Sequence, residues 1–159
     1  MKNSVIKGYH VYEVKPPRTN PPTRLVVERE YTNIHDVNAS LVWIPELANF
    51  NHDLHDMYTD QKRFLKLSDV AGLPVGHVPL GLGGAFRKLL DKSCSIFSEP
   101  IGDPCASFPP WPPTHEKGGG VVIPCDYIVQ CAATQLNFVR ETLSAAVMEM
   151  PERDAMSIQ

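Results

Sequence analysis

The amino-acid sequence predicts a mainly β fold with flanking helices, an α+β protein built on one small antiparallel barrel or sandwich. Six short runs rich in β-branched and aromatic residues recur along the chain, and turn residues separate them. Several of the 15 prolines form clusters that end strands, because they cannot donate backbone hydrogen bonds. With 159 residues and 43% hydrophobic content, the chain is large enough to bury one hydrophobic core without stabilising disulfides or metal sites.

The six strand-like runs lie near residues 5–14, 24–29, 39–44, 75–79, 94–97 and 121–129. Short strands with exposed edges would pair with other chains, so we expect these six to form one closed or nearly closed antiparallel barrel. A parallel sheet with helices on both faces would contradict this expectation.

Two helices are predicted from apolar residues at helical spacing. The first runs over residues 83–91, and the second over residues 135–150, with Thr134 as its cap and Pro151 as its stop. The apolar stripe of the second helix consists of Leu136, Val139, Leu143, Val147 and Met150. Such a stripe more often packs on its own domain than on a partner. The tail over residues 152–159 is expected to fray.

Two stretches interrupt the strand pattern. Residues 45–73 are interpreted as an insertion between two strands that holds a short helix over residues 57–67. The candidate anchors of that helix are Tyr58, Phe64 and Leu67. Residues 101–120, rich in Pro and Gly, are interpreted as a second long loop. The predicted organisation is a barrel domain over residues 1–133, followed by a C-terminal helix and tail over residues 134–159.

The formal net charge of −3 argues against a general binder of polyanions. The charge is unevenly distributed along the chain. Residues 1–40 carry six Lys or Arg against four Asp or Glu, and residues 61–92 carry six against two, whereas the remainder is acidic. A basic surface confined to these two stretches is therefore compatible with the composition.

The four cysteines, Cys94, Cys105, Cys125 and Cys131, could in principle form two disulfides. The start of the chain lacks the apolar stretch of a secretory signal, so we expect reduced, partly buried thiols. The expected location is accordingly intracellular, nuclear or cytoplasmic. No apolar run approaches the ~18 residues that span a bilayer, and no segment is assigned to a membrane.

Three separated patches carry a resemblance to a known family. They are residues 8–12 (Gly-Tyr-His-Val-Tyr), residues 29–39 (Arg-Glu-Tyr-Thr-Asn-Ile-His-Asp-Val-Asn-Ala) and residues 75–79 (Val-Gly-His-Val-Pro). In this order they resemble the HIRAN family, in which an Arg-Glu/Asp-x-x-Asn-x-x-Asp-x-Asn-Ala stretch precedes a strand and a Val-Gly-His turn follows. Residues 122–125 (Val-Ile-Pro-Cys) are compatible with the closing element of the family. The resemblance covers about two thirds of the chain and leaves out the insertion, the Pro-rich loop and the C-terminal helix.

The resemblance implies an open β-barrel related to OB and SH3-like folds, with helices packed beside it. The family is associated with DNA repair and replication-fork proteins, and its known ligand is single-stranded DNA at a 3′ end. Its pocket uses aromatic and basic residues of the first strand, the Asn/Asp loop and residues near the Val-Gly-His turn. By this resemblance, the chain is expected to be a DNA-binding module with no catalysis of its own.

The residues that the resemblance singles out are His10, Tyr12, Arg29, Asn33, His35, Asp36, Asn38 and His77. Single strands are held by bases that stack on aromatic rings beside a basic groove for phosphates. Tyr12, with His35 or Tyr9, would supply the stack, and Asp36 would accept a hydrogen bond from a terminal sugar hydroxyl. Asn side chains at 33 and 38 can both donate and accept toward bases or phosphates.

Each of these residues also has a purely structural interpretation. Asn and Asp between two strands form turns, because their side chains mimic a backbone turn. Arg29 would then brace the loop, and His77 would be a packed histidine. The first strand also departs from the family pattern, since residues 10–12 are His-Val-Tyr where the family places Arg-aromatic-aromatic. One stacking ring and one fixed charge are therefore missing.

Other constellations do not complete a site. Residues 52–56 (His-Asp-Leu-His-Asp) lack a third ligand at metal-site spacing, and the cysteines lack a Cys-x-x-Cys pair. The glycine clusters at residues 81–84 and 118–120 lack the Lys-Ser/Thr of a phosphate loop. The sequence therefore predicts no metal, cofactor or enzyme activity, and residues 46–57 are expected to lie at the surface.

Two functional hypotheses remain. The first is a module that binds single-stranded or 3′-ended DNA. The second is a protein-interaction module that keeps the barrel without the DNA pocket, with Trp111 of the Pro-rich loop, the acidic insertion and the C-terminal helix as its working surface. Residues 10–12 favour the second hypothesis, whereas the loop over residues 33–38 favours DNA.

Overall fold

A nearly closed antiparallel barrel forms the centre of the computed structural model, which describes residues 1–109, 111 and 120–159. Its strands are β1 (Ser4–Ile6), β2 (Leu25–Arg29), β3 (Ser40–Trp43), β6 (Pro74–His77), β7 (Ser95–Pro100) and β9 (Val121–Gln130), in the order β1-β9-β7-β2-β3-β6. The strands β4 (Tyr58–Asp60) and β5 (Leu65–Lys66) form a separate hairpin, and β8 (Cys105–Ala106) pairs with β9. The helices are α1 (Tyr9–Tyr12), α2 (Leu67–Val70), α3 (Leu80–Asp91) and α4 (Leu136–Met148). The predicted α+β class with a small antiparallel barrel is confirmed.

One residue pair closes the barrel between β1 and β6. The N–H of Lys7 donates to the carbonyl oxygen of His77 at 2.8 Å, and the N–H of His77 donates to the carbonyl oxygen of Lys7 at 2.7 Å. Gly76 permits this approach, because a Cβ at this position would lie 2.3 Å from the Lys7 carbonyl oxygen and 2.7 Å from Cγ2 of Ile6. We call the contact between Lys7, Gly76 and His77 the seam.

The core lies inside the barrel and beneath α3 and α4. Phe86 of α3 packs edge-on against Tyr127 of β9, with ring centroids 5.0 Å apart and an interplanar angle of 83°. The hydroxyl of the buried Tyr127 donates to the carbonyl oxygen of Val5 at 3.0 Å. The stripe of α4 packs on its own domain through Val139, Leu143, Val147 and Met150, which are all buried. Leu136, predicted to belong to this stripe, is exposed.

The predicted first strand over residues 5–14 is wrong beyond Ile6. Gly8 has a φ of 79° and Glu13 a φ of 53°, so the backbone is left-handed on both sides of α1. The left-handed conformation at Gly8 breaks the extended chain, and the aromatic residues that follow form one helical turn instead of a ladder. Tyr12 and His10 therefore project from a turn rather than from a strand.

The predicted helix over residues 57–67 is also wrong, because β4 and β5 form a hairpin there. Asp60 fixes the turn between these strands. Its Oδ1 accepts from the N–H groups of Lys62 and Arg63 at 3.1 and 3.3 Å, and its Oδ2 accepts from the Arg63 side chain at 2.9 Å. Of the candidate anchors, Leu67 is buried, whereas Tyr58 and Phe64 are exposed. Residues 46–57 lie at the surface as predicted, and none of them is buried.

The C-terminal segment is ordered rather than frayed. Glu152 and Met156 are buried, and the N–H of Lys2 donates to the carbonyl oxygen of Ser157 at 2.8 Å. A 3₁₀ turn over Arg153–Ala155 returns the chain to the core, which the polar composition of this segment did not indicate. Thr134 does not cap α4, since it lies within a 3₁₀ turn over Ala133–Gln135.

Candidate nucleic-acid interface

Three distant segments meet beside the seam: α1, the loop after β2 and the end of β6. His77 stands between them, with its ring centroid 5.9 Å from that of Tyr12 and its Nε2 2.9 Å from Oε2 of Glu30. Asn33 reaches the same carboxylate oxygen, and Asp36 is hydrogen-bonded to Asn33. We call Tyr12, Glu30, Asn33, Asp36 and His77 the seam cluster. His77, at the centre of the seam cluster, is held in place by the barrel because its backbone forms the seam.

The loop over residues 30–39 is held by its own polar side chains. Oδ1 of Asn33 accepts from the N–H groups of His35 and Asp36, both at 3.0 Å. Oδ1 of Asp36 accepts from the N–H of Asn38 at 2.8 Å. These atoms form turns, as the structural interpretation of the loop requires. Oδ2 of Asp36 makes no hydrogen bond within the described residues.

The Glu30 carboxylate connects the loop to the turn of β6. Its Oε2 accepts from Nδ2 of Asn33 at 2.8 Å and lies 2.9 Å from Nε2 of His77. Burial acts to raise the pKa of Glu30, but the hydrogen bonds from Asn33 and His77 outweigh it and hold the pKa below its ordinary value of 4.5. Because an ionised carboxylate only accepts, Nε2 is the nitrogen of His77 that carries the proton.

Arg29 and Asn38 hold the ends of this loop against α3. Nη1 of Arg29 donates to Oδ1 of Asp91 at 3.0 Å, and the guanidinium carbon stands 4.6 Å from the ring centroid of Tyr31. Nη1 of Arg87 donates to Oδ1 of Asn38 at 3.2 Å. Arg29 and Asn38 thus tie the loop to α3 and do not join the seam cluster. The ion pair with Asp91 is compatible with the bracing role considered for Arg29.

Sequence reasoning missed the exposed apolar side chains that lie close in sequence to the residues of the seam cluster. They are Val11, Tyr31, Ile34, Val37 and Leu80. Tyr31 is 81% exposed and Ile34 is 90% exposed, although large apolar side chains in a loop have no part in its turn chemistry. That mismatch is the signal in the sequence that could have identified them. His10 and His35, both singled out from the sequence, are exposed as well.

The insertion does not assemble a metal centre. The rings of His52 and His55 are 4.9 Å apart, and Nε2 of His55 lies 3.2 Å from the carbonyl oxygen of Phe50. Within residues 1–109, 111 and 120–159, no group of three or more His, Cys, Asp or Glu side chains lies close enough together to hold a metal ion. No helix in the same part of the chain has the length and apolar character to cross a membrane.

Trp111 does not present a working surface. It is buried, and Nζ of Lys7 lies 5.7 Å from its ring centroid. The remainder of the predicted Pro-rich surface, at residue 110 and residues 112–119, lies outside the described residues.

Any function of this chain has to be inferred from its own side chains. Comparison with protein-family models, with curated proteins and with solved structures found no match in any of the three.

Proposed function

We propose that the chain binds single-stranded DNA, with a preference for a free 3′ end, through the seam cluster and the apolar side chains beside it. The observation that supports this most is the contact of Tyr12 and His77 next to the loop that carries Asn33 and Asp36. These residues come from three segments that are far apart in the sequence. Their grouping brings two rings, one amide and one carboxylate to one place.

The chemistry of the grouped residues suits a single strand. Tyr12 offers one ring, and the exposed ring of Tyr31, with a guanidinium on one side, offers a second surface on which a base can stack. Ile34 and Val11 add apolar area that suits unstacked bases. Oδ2 of Asp36 can accept a hydrogen bond from a sugar hydroxyl, while its Oδ1 keeps the loop turn. Arg29 and Arg87 pair with one carboxylate, Asp91, and Glu28 lines the same groove as Arg29 and Tyr31, so these four charges balance.

Replacing Tyr12 by alanine is expected to weaken single-strand binding by ~1–3 kcal/mol, or about 5- to 150-fold in Kd, because one base loses its stacking ring. Fluorescence anisotropy with a labelled single-stranded oligonucleotide at about 50 mM salt measures the change. Tyr12→Phe is the matched control, since it keeps the ring and should retain most of the affinity. Unmutated protein that binds no single strand at this salt, where phosphate contacts are strong, would overturn the proposal.

Asp36→Asn is expected to remove the preference for a free 3′-hydroxyl over a 3′-phosphate, while binding to internal strand stays equal or improves slightly. The amide keeps the acceptor for the N–H of Asn38, so the loop turn is preserved. The substitution removes the negative charge that a 3′-phosphate would meet and puts an NH2 donor in place of Oδ2, the acceptor for the 3′-hydroxyl. Competition between matched oligonucleotides with free and phosphorylated 3′ ends measures the preference. An unchanged ratio of the two affinities would show that Asp36 does not contact the 3′ end.

A protein-interaction function is the second candidate, and the exposed apolar side chains of Val11, Ile34, Val37 and Leu80 favour it. On the C-terminal helix, Phe138 and Met148 are exposed as well. A protein partner would bury these side chains and leave the seam cluster a structural element. Absence of single-strand binding at low salt would make this the leading function.

A further inference from the structure

Cys94 and Cys131 flank the end of the ladder between β7 and β9. These strands pair antiparallel over six residue pairs, from Pro100–Cys125 to Ser95–Gln130. Cys94 directly precedes Ser95, and Cys131 directly follows Gln130. If the register is continued by one pair beyond Ser95–Gln130, the two cysteines come opposite each other, although they are 37 positions apart in the sequence.

The hydrogen-bond pattern shows which kind of pair they form. The N–H of Ile101 donates to the carbonyl oxygen of Pro124 at 2.9 Å, one step beyond the other end of the ladder. Hydrogen-bonded and non-hydrogen-bonded pairs alternate in an antiparallel ladder, so the position of Cys94 and Cys131 is a non-hydrogen-bonded one. Opposed Cα atoms there lie about 4.5 Å apart, within the roughly 4.4–6.8 Å that a disulfide spans.

Both side chains also point to the same face. Residues alternate between the two faces of a strand, so Cys94 shares the inner face with the buried Ile96, and Cys131 shares it with the buried Tyr127. Cys94 is 5% exposed, whereas Cys131 is only half-buried. Burial raises the pKa of the Cys94 thiol, and the nearby Cys131 raises it further. Both thiols are free in the structure.

We propose that Cys94 and Cys131 are a redox-sensitive pair that closes to a disulfide when the chain meets a small disulfide oxidant such as oxidised glutathione. The thiolate of Cys131, which is the accessible sulfur, attacks the S–S bond of the oxidant and releases one glutathione thiolate. The thiolate of Cys94 then attacks the Cys131 sulfur of the mixed disulfide and releases the second. The protein loses two protons and two electrons, and the oxidant gains them as two thiols.

The disulfide would secure the segment that leads into α4. Nε2 of Gln135 already donates to the carbonyl oxygen of Lys92 at 2.9 Å, and Oε1 of Gln135 lies 4.0 Å from Sγ of Cys94. A covalent bond between Cys94 and Cys131 would add to this link between the turn after α3 and the start of α4. Because it also constrains the unfolded chain, the oxidised form should melt at a higher temperature.

The test uses the whole chain, incubated with excess oxidised glutathione under native conditions and digested without reduction. We expect a peptide that joins Cys94 to Cys131, a mass lower by about 2 Da and a Tm higher by about 5–10 °C. Cys105→Ser should retain the linkage and the gain in Tm, whereas Cys131→Ser should lose both. Linkage through Cys105 or Cys125, linkage between two chains, or a mixed disulfide that stays on Cys131 would overturn the proposal. Cys131→Ser is preferred to Cys94→Ser because its side chain is less buried, so its fold is less at risk.

Discussion

Replacing Gly76 by alanine is expected to open the seam and to lower the free energy of unfolding by ~3 kcal/mol, the upper end of the usual cost of overpacking. The added methyl group would lie 2.3 Å from the Lys7 carbonyl oxygen, which accepts the N–H of His77. The clash is with backbone rather than with a flexible side chain, so relief requires separation of β1 from β6. Both hydrogen bonds of the seam would be lost with it.

Gly84→Ala is the matched control, because a Cβ at Gly84 would meet no atom of the described residues within 4 Å. Gly84 lies inside α3, where alanine is favoured over glycine by ~1 kcal/mol, so this variant should be equally stable or slightly more stable. Urea denaturation of both variants gives the comparison, and hydrogen exchange at Lys7 and His77 reports the seam directly. Equal midpoints for Gly76→Ala and Gly84→Ala would contradict the assigned role of Gly76.

Phe86→Ala is expected to cost ~3–5 kcal/mol of stability, the range for truncation of a fully buried phenylalanine. The substitution removes the edge-on contact with Tyr127 and leaves a cavity between α3 and the barrel. Tyr127 is itself tied to the carbonyl oxygen of Val5, so the surroundings cannot easily collapse into the space.

Phe138→Ala is the control for this loss, since Phe138 is 38% exposed on α4 and its truncation should cost well under ~2 kcal/mol. Thermal and urea unfolding of the two variants under one condition measure the difference. A comparable loss from both would mean that the core does not depend on the contact between Phe86 and Tyr127.

The barrel strands could be predicted because the residue pattern of their sequences favours β structure and indicates no competing helix. The runs near β2, β3, β6, β7 and β9 are short, β-branched or aromatic, and bounded by turn residues. The stripe of α4 was equally clear, since Val139, Leu143 and Val147 recur at helical spacing and are buried. These elements are determined mostly by their own side chains.

The elements that were missed depend on single residues that override a local pattern. Gly8 turns an apparently continuous strand into β1 and α1 through one left-handed conformation. Asp60 turns an apparent helix into a hairpin through its hydrogen bonds to the backbone of Lys62 and Arg63. The spacing of apolar residues does not reveal either of these changes in backbone conformation. The same holds for the C-terminal segment, where the burial of Met156 follows from tertiary contact.

The candidate site was predicted in part. Tyr12, Asn33, Asp36 and His77 form one cluster, but they are connected through Glu30, which no sequence pattern singles out. Arg29, which the sequence singles out together with these residues, pairs with Asp91 of α3. Side-chain direction at the end of β2 decides this, and it depends on where α3 packs rather than on the motif itself.

The pairing of Lys7 with His77 also restricts how a partner can be recognised at this end of the barrel. An extended peptide that joins a sheet as an extra strand needs unpaired N–H and C=O groups at an edge. At the seam, the backbone groups of Lys7 and His77 already satisfy each other. A ligand at the seam cannot hydrogen-bond to these backbone groups, so its recognition must depend on ring stacking, side-chain shape and charge.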